Sequence, residues 1–323
     1  MLNYIYLKLV SLGYNWIKKI HYGLTTWKSF LSQGLNYRQR DTMSQERVNS
    51  FHSYLYDNVS IPTFLSNLDN EGKNIALKSI ENIKFISQNN YCLYDNLYDD
   101  RLIKDQKKFA KYVLKNKGKY FPNFDYLYLT NDYYMDTLQE LCNGVNGKAI
   151  LDCGAFIGDT AIPLAHMFIK SQIHAFEPES HNYSKLIDII NYNQKQNQII
   201  PVKLGVGDQY IKTTISNGGA GAKIGEEGEE IEITTIDQYV GEKQLEVGLI
   251  KRDIEGFEYE SVVGAEQTIK KDKPVLIISL YHRGKDFFEI KKLIEGRNLG
   301  YKFTVRKRNC FHPFADTVLI CYH

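Results

Sequence analysis

Apolar and polar positions along the chain follow two different periods, and the change falls near residue 118. Before it, apolar residues recur three and four apart over 75–88 (IALKSIENIKFISQ) and 101–115 (RLIKDQKKFAKYVLK), the spacing of amphipathic helices. Gly118 ends the second of these, and Tyr120-Phe121-Pro122 leads out of it. From about 147 onward, short apolar runs alternate with helical stretches. Strands are predicted at 148–153 (KAILDC), 172–176 (QIHAF), 199–206, 247–253 (VGLIKRD) and 274–281 (PVLIISLY), with helices at 160–169, 182–192 and 259–270. A pair of antiparallel strands, 211–216 and 230–235, flanks the Gly-rich stretch 217–228. After a helix at 287–295, two strands at 301–306 and 317–322 close the sequence with no helix between them. The alternation predicts an α/β fold, a mostly parallel sheet with helices on both faces. The strand-to-strand ending predicts that the last strand runs antiparallel. Residues 1–118 are expected to form a mainly helical N-terminal region, and 119–323 the α/β domain.

Composition narrows the class without changing it. A chain of 323 residues holds one large domain or two modest ones. With 43% hydrophobic and 24% charged residues, disorder, collagen and coiled coil are excluded. Forty basic against 38 acidic side chains leave a formal +2, so no nucleic-acid partner is expected. The cysteines (Cys92, Cys142, Cys153, Cys310, Cys321) are odd in number and form no CxxC pair, which fits a reducing, cytoplasmic compartment better than a disulfide or zinc scaffold. No leader pattern and no run of about 18 apolar residues is present. Residues 1–40 differ: six Lys/Arg and no Asp or Glu are interleaved with Leu2, Ile5, Leu9, Leu12, Trp16, Ile17 and Ile20. Two readings stand, a helix docked on its own domain or an amphipathic helix at the anionic inner face of a membrane. A role of residues 1–118 in acceptor binding or in a homodimer is a further expectation.

In an open α/β sheet, ligands lie at the carboxyl ends of the strands, near the point where strand order reverses. The first strand runs into Asp152-Cys153-Gly154-Ala155-Phe156-Ile157-Gly158-Asp159-Thr160. Two glycines between a strand and a helix let the backbone approach a ligand, but their spacing is not the G-x-G-x-x-G of a nicotinamide or flavin site. Asp152 also suits a ligand with a cationic amino group or sulfonium better than a pyrophosphate. The second strand ends in Ala175-Phe176-Glu177-Pro178-Glu179, and Glu177, 19 residues beyond Gly158, is placed to accept both ribose hydroxyls of a nucleoside. The third ends in Gly205-Val206-Gly207-Asp208; Asp208 is there to hold an adenine amine, or is an Asp in a turn. The fourth ends in Ile250-Lys251-Arg252-Asp253-Ile254-Glu255-Gly256, with Asp253 and Glu255 charged at the mouth of a buried strand, a costly placement without a purpose. The fifth, Ser279-Leu280-Tyr281-His282-Arg283, brings His282 to the same rim.

Taken together, residues from about 120 to 323 resemble the FkbM family of S-adenosylmethionine-dependent methyltransferases. The matching pieces, in order, are Leu151 to Ala155, Gly158-Asp159-Thr160, Ala175 to Pro178, Ile250-Lys251 with Asp253 to Gly256, Tyr281-His282, and Asp316 to Leu319. The resemblance implies the class I methyltransferase (Rossmann-like) seven-stranded sheet with an antiparallel last strand. It implies S-adenosylmethionine as cofactor, with Asp152, Gly154, Ala155, Phe156, Gly158 and Thr160 around its methionine part. Glu177 and Pro178 would be at the ribose, Asp208 at the adenine, and Asp253 at the boundary with the acceptor. Asp253, Glu255 and His282 would face the acceptor as the catalytic group. The sequence departs from the family at Phe257, where a small residue is common, and at Lys307, where relatives with a Tyr-His strand end often carry histidine.

Known members of the family methylate hydroxyls of sugars or polyketides, so O-methyl transfer to a sugar, glycan or related natural product is the expected activity. The Lys/Asn/Ile/Tyr-rich composition, reminiscent of an AT-rich bacterial genome, points toward a cell-surface glycan or its lipid-linked precursor. An alcohol is a poor nucleophile, and a positioned base is worth about 10²–10⁴-fold. His282 is the first expectation for that base because its unperturbed pKa is near neutral, with Asp253 next and Glu255 orienting. No metal is expected; a divalent ion on Asp253, Glu255 and His282 is the alternative. Methylation of nucleic acid or another small molecule, with the basic residues Arg297, Lys302, Arg306, Lys307 and Arg308 as the pointer, is the runner-up. A non-catalytic protein that retains the fold is the other rival.

Overall fold

The computed structural model describes residues 50–55, 60–89, 141–142, 144–216, 224–225, 227–307 and 316–323. The basic segment 1–40, the predicted helix 101–115 with Gly118, most of the Gly-rich stretch 217–228, Cys92, Cys310 and Arg308 lie outside these residues.

Seven strands make the main sheet: β1 (Ala149–Cys153), β2 (Ile173–Phe176), β3 (Ile199–Val202), β7 (Val247–Arg252), β8 (Val275–Ser279), β9 (Lys302–Lys307) and β10 (Thr317–Tyr322). Their order is β3-β2-β1-β7-β8-β10-β9. Strands β1, β2, β7 and β8 are buried along their whole length and rich in Ile, Leu and Val, as a sheet covered on both faces requires. The chain builds outward from β1 to β3, then returns to β7 on the other side of β1, so the strand order reverses between β1 and β7. Parallel register there sets Asp152 beside Lys251 and Cys153 beside Arg252. The predicted antiparallel ending is observed. Strand β10 pairs antiparallel with both β8 (Val318 to Ser279) and β9 (Val318 to Arg306).

Helices cover both faces: α1 (Ile61–Leu65), α2 (Asn70–Asn89), α3 (Ala161–Met167), α4 (Ser180–Tyr192), α5 (Ile236–Lys243), α6 (Glu258–Val263), α7 (Glu266–Asp272) and α8 (Gly284–Glu295). Alternate strand residues feed two cores. Leu151, Cys153, Ile250, Leu276, Ile278 and Leu319 enter the larger one; Ile150, Leu249, Val275, Ile277, Val318 and Ile320 enter the other, with Leu164, Leu186 and Ile189 of α3 and α4. Helical residues 50–55, α1 and α2 contribute to the larger core. Phe51 and Phe64 pack on Phe287, with ring centroids 6.0 and 5.3 Å away. Asp69 accepts the Gly72 N–H at the start of α2 and binds Arg306 of β9 at 3.0 Å.

Two predicted elements are each divided in the structure. The strand read as 199–206 stops at Val202; Gly205–Gly207 forms β4, which pairs in parallel with β6 (Glu229–Thr235) in a separate three-stranded sheet completed by β5 (Ile211–Ile215). The helix read as 259–270 breaks into α6 and α7 at Gly264. A Cβ there would stand 2.0 Å from the Gly207 carbonyl oxygen, so β4 and the end of α6 meet backbone to backbone. Helix α5 was not predicted; Thr235 starts it by accepting the Gln238 N–H.

Candidate active site

The loops after β1 and β2 are tied together by one carboxylate. Glu177, 6% exposed, accepts the Phe156 N–H with one oxygen and the Glu179 N–H with the other, each at 3.0 Å. Burial raises its pKa against those hydrogen bonds, to about 7. The Asn182 side chain is a third donor to the same carboxylate, and the three together leave it acceptor capacity for a hydroxyl donor. Gly154 turns the β1 loop with φ +76°, and a Cβ on it would fall 1.9 Å from the Asp253 carbonyl oxygen. Only glycine allows the β1 and β7 loops to approach this closely. Phe156 in the first loop and Glu255 in the second also have left-handed backbones, φ 48° and 53°. Such conformations are strained for non-glycine residues and cluster at functional sites.

Beneath the glycine loop, Lys251 ion-pairs with Asp152 at 3.1 Å and donates to the Gly154 carbonyl at 2.8 Å. Burial disfavours the ammonium, but Asp152, Asp253 and Asp159 outweigh it and raise the Lys251 pKa. Asp152 and Ala155 are fully buried. These two predicted cofactor residues therefore offer a ligand no surface; Asp152 acts on the loop through Lys251. Gly154, Phe156 and Pro178 are half-buried in the loops after β1 and β2, whereas Gly158 and Thr160 are buried where α3 begins. Asp208 is exposed beyond β4, beside Gly264. Its predicted place at the end of a third strand of the main sheet rested on a continuous 199–206 strand, which the structure divides.

Asp253, Glu255 and His282 do come together. His282 Nε2 lies 3.6 Å from Asp253 Oδ1 and 3.5 Å from Glu255 Oε2, and the Tyr281 hydroxyl donates to Asp253 at 2.9 Å. The histidine is held by a residue that the sequence reading missed. Glu258, wholly buried in the first turn of α6, contacts His282 Nδ1 at 2.7 Å and accepts the Ile254 and Gly256 N–H groups at 2.8 and 3.0 Å. One carboxylate thus shapes the β7 loop and fixes the imidazole. Behind it, Asp286 of α8 accepts two Arg283 N–H bonds and the Tyr259 N–H. Burial opposes a charge on the His282 ring, but Glu258 and Glu255 outweigh it and hold its pKa well above the ordinary value.

Lys251 and Glu258 had signals in the sequence: a lysine inside the apolar run VGLIK and a glutamate opening a helix right after a charged loop. The departures from family pattern also have places. Phe257 packs on the small sheet with Ile215, Ile231 and Ile233, and Lys307 is buried in β9. Of the basic residues, Arg306 is taken up by Asp69 and Glu71, and Arg297 lies 3.9 Å from Glu266. Among the described residues no helix is long and apolar enough to cross a membrane.

Residues 152–303 match the model of the methyltransferase FkbM domain. The solved methyltransferase FkbM from Methylobacillus flagellatus KT superposes with a TM-score of 0.50 at 22% identity, over 82% of this chain and 63% of that one. The chain thus spans less than two thirds of that protein, and the likeness shows the fold. An O-methyltransferase from Bacillus cereus, solved with SAH, matches at 12% identity and TM-score 0.43 over 77% of this chain and 100% of that one. None of the curated proteins matches the chain in sequence.

Proposed function

Residues 152–303 form a methyltransferase FkbM domain, and from that premise we propose that the chain is an S-adenosylmethionine-dependent O-methyltransferase acting on a hydroxyl of a sugar, glycan or related natural product. The observation that carries the reading is Glu177, a buried carboxylate with acceptor capacity to spare, at the mouth of the β1–β7 crevice. That donor set fits an adenosyl group. Glu177 would hold the ribose hydroxyls, and the backbone of 154–156 the methionine part.

S-adenosylmethionine, when bound, supplies a methyl group on a sulfonium sulfur that is open to direct displacement. The chain's own residues supply position, charge and a proton acceptor. Lys251 and Gly154 fix the β1 loop against the β7 loop, and this sets the distance between the cofactor hollow and the acceptor side. Alignment of this kind accounts for several kcal/mol in favourable systems. Asp253, half-buried and bonded by Tyr281, takes the proton of the acceptor hydroxyl. His282, fixed by Glu258, places positive charge beside that carboxylate and beside Glu255. Two carboxylates and a histidine at one rim also give a polyhydroxylated acceptor both donors and acceptors.

Titration calorimetry of S-adenosylhomocysteine (SAH) into the full chain tests the reading. Micromolar binding that is lost in Glu177→Ala and absent for NAD⁺ is expected; absence of binding by folded protein would overturn it. With an acceptor in hand, Asp253→Asn is expected to lower kcat by about 10²–10⁴-fold. The acceptor KM should stay within a few-fold of the parent value.

A further inference from the structure

His282 Nε2 is buried and has no hydrogen-bond partner, although the ring is only 4% exposed and its other nitrogen is fully engaged by Glu258. Leaving a buried polar nitrogen unsatisfied is costly, and native structures rarely do so without a reason. The nitrogen is aimed into a gap that two carboxylates border. Asp253 Oδ1 and Glu255 Oε2 stand 3.6 and 3.5 Å away, at ion-pair distance but too long for a well-formed hydrogen bond from a ring N–H, and too close for a water between.

These spacings have a simple geometric meaning. An ion about 2.1 Å from two ligand atoms that are 3.5–3.6 Å apart subtends an angle of roughly 115°, near the tetrahedral value. The companion nitrogen is already arranged as a metal-binding histidine needs, with Nδ1 on a buried carboxylate at 2.7 Å that fixes ring orientation. Ligand atoms of Asp253 and His282 already lie within 4.8 Å of one another, in a group whose third member is the orienting Glu258 and not Glu255. Glu255 lies outside that group on a left-handed backbone, 3.5 Å from His282 Nε2, and reaches a shared ion by turning its half-buried side chain.

We propose that this rim is a divalent transition-metal site, with His282 Nε2, Asp253 and Glu255 as ligands and Glu258 as the residue that orients the histidine; the ion takes the place of the Nε2 proton, which is released to solvent as it binds. One nitrogen and two oxygens select ions such as Mn²⁺, Co²⁺ or Zn²⁺ over Mg²⁺ and Ca²⁺, which prefer all-oxygen shells. Three protein ligands leave positions open toward the hollow, the pattern of a catalytic rather than a structural site. The ion's role rests on the methyltransferase reading. It would be a Lewis acid beside the acceptor hydroxyl, lowering the pKa of that group and easing the demand on Asp253. The site itself does not depend on that reading.

The full chain, stripped with EDTA and dialysed, is titrated with Co²⁺ while visible absorption is recorded, with Mg²⁺ as the control ion. One Co²⁺ per chain with ligand-field bands, displaced by Zn²⁺, is expected. Affinity should fall at least tenfold in Glu255→Gln and in Asp253→Asn, both partly exposed positions where the fold has room for the change. SAH binding is measured on the same metal-free samples. If SAH binds but Co²⁺ does not bind stoichiometrically, or binds equally well in both variants, the metal site is overturned and the methyltransferase reading stands. If Co²⁺ behaves as expected and SAH does not bind, the site stands and that reading falls.

Discussion

At Glu177, burial and backbone hydrogen bonds pull in opposite directions, and burial wins. The pKa in the fold, about 7, exceeds the ordinary 4.5, so the stability linked to this group is fully present below about 4.5 and is lost as pH rises through about 7. Glu177→Gln is therefore expected to gain stability relative to the parent as pH goes from 4.5 to 8, as denaturant melts at each pH would show. Ligand binding should run the other way. Ribose hydroxyls donate more strongly to the ionised carboxylate than to the protonated one, so SAH affinity should tighten, by up to about tenfold, between pH 6 and pH 8. Calorimetry in buffers of different ionisation enthalpy should detect the proton released on binding near pH 6. Lys251 makes a different prediction. Lys251→Met leaves the Asp152 carboxylate buried without its partner, at a cost of about 3 kcal/mol, and frees the Gly154 carbonyl. A lower denaturation midpoint together with weaker SAH binding is expected; an unchanged midpoint would show that the pair is not what holds the loop. The rim carboxylates and His282 were legible in the sequence because strand ends are where such groups are affordable only for function. Their hierarchy was not. Whether Asp152 meets a ligand or a lysine depends on cross-strand register, and register is not encoded in either strand alone.

Among the elements, the strands at 149–153, 173–176, 247–252 and 275–279 were legible because each is a short apolar run with turn residues or a helix on either side. The two divisions were not. Between Val202 and Gly205 no proline or glycine pair marks a stop, and β4 leaves the main sheet because β6 offers it a parallel partner 22 residues or more downstream. The α6–α7 break did carry a signal, Gly264 inside a helical pattern, whose cause lies in tertiary contact with β4. That contact is testable. In Gly264→Ala, the new Cβ meets backbone at 2.0 Å, which neither side can relieve by a rotamer change. Destabilisation by about 1–3 kcal/mol is expected from such overpacking, read as a shift of the urea midpoint. A neutral result would mean that β4 can slide away from α6 without loss.

Across the whole molecule, the helices that precede the sheet are bound into its core. Phe51, Leu55, Phe64, Leu68, Ile75 and Ile80 share one apolar cluster with Phe287, Phe288, Phe303 and Val305. A fragment limited to residues 141–323 would therefore expose those aromatic and aliphatic faces of α8 and β9. It is expected to bind a hydrophobic dye and self-associate on gel filtration, whereas the full chain does neither; a monomeric fragment with a cooperative melt would show the helices to be dispensable. Periodicity revealed that 75–88 is a helix but not where it docks, since the partner face belongs to β9, more than 200 residues away in the chain. The reversed direction of β10 has a practical outcome of its own. Because β10 runs from Val318 beside Ser279 to Cys321 beside Leu276, the backbone leaves the sheet at the amino ends of the parallel strands, with the His323 ring tilted against Tyr301 at 4.3 Å. A reporter protein or a sensor-chip linker joined after residue 323 would depart from the floor of the molecule, leaving the crevice at the opposite rim facing outward for whatever flows past.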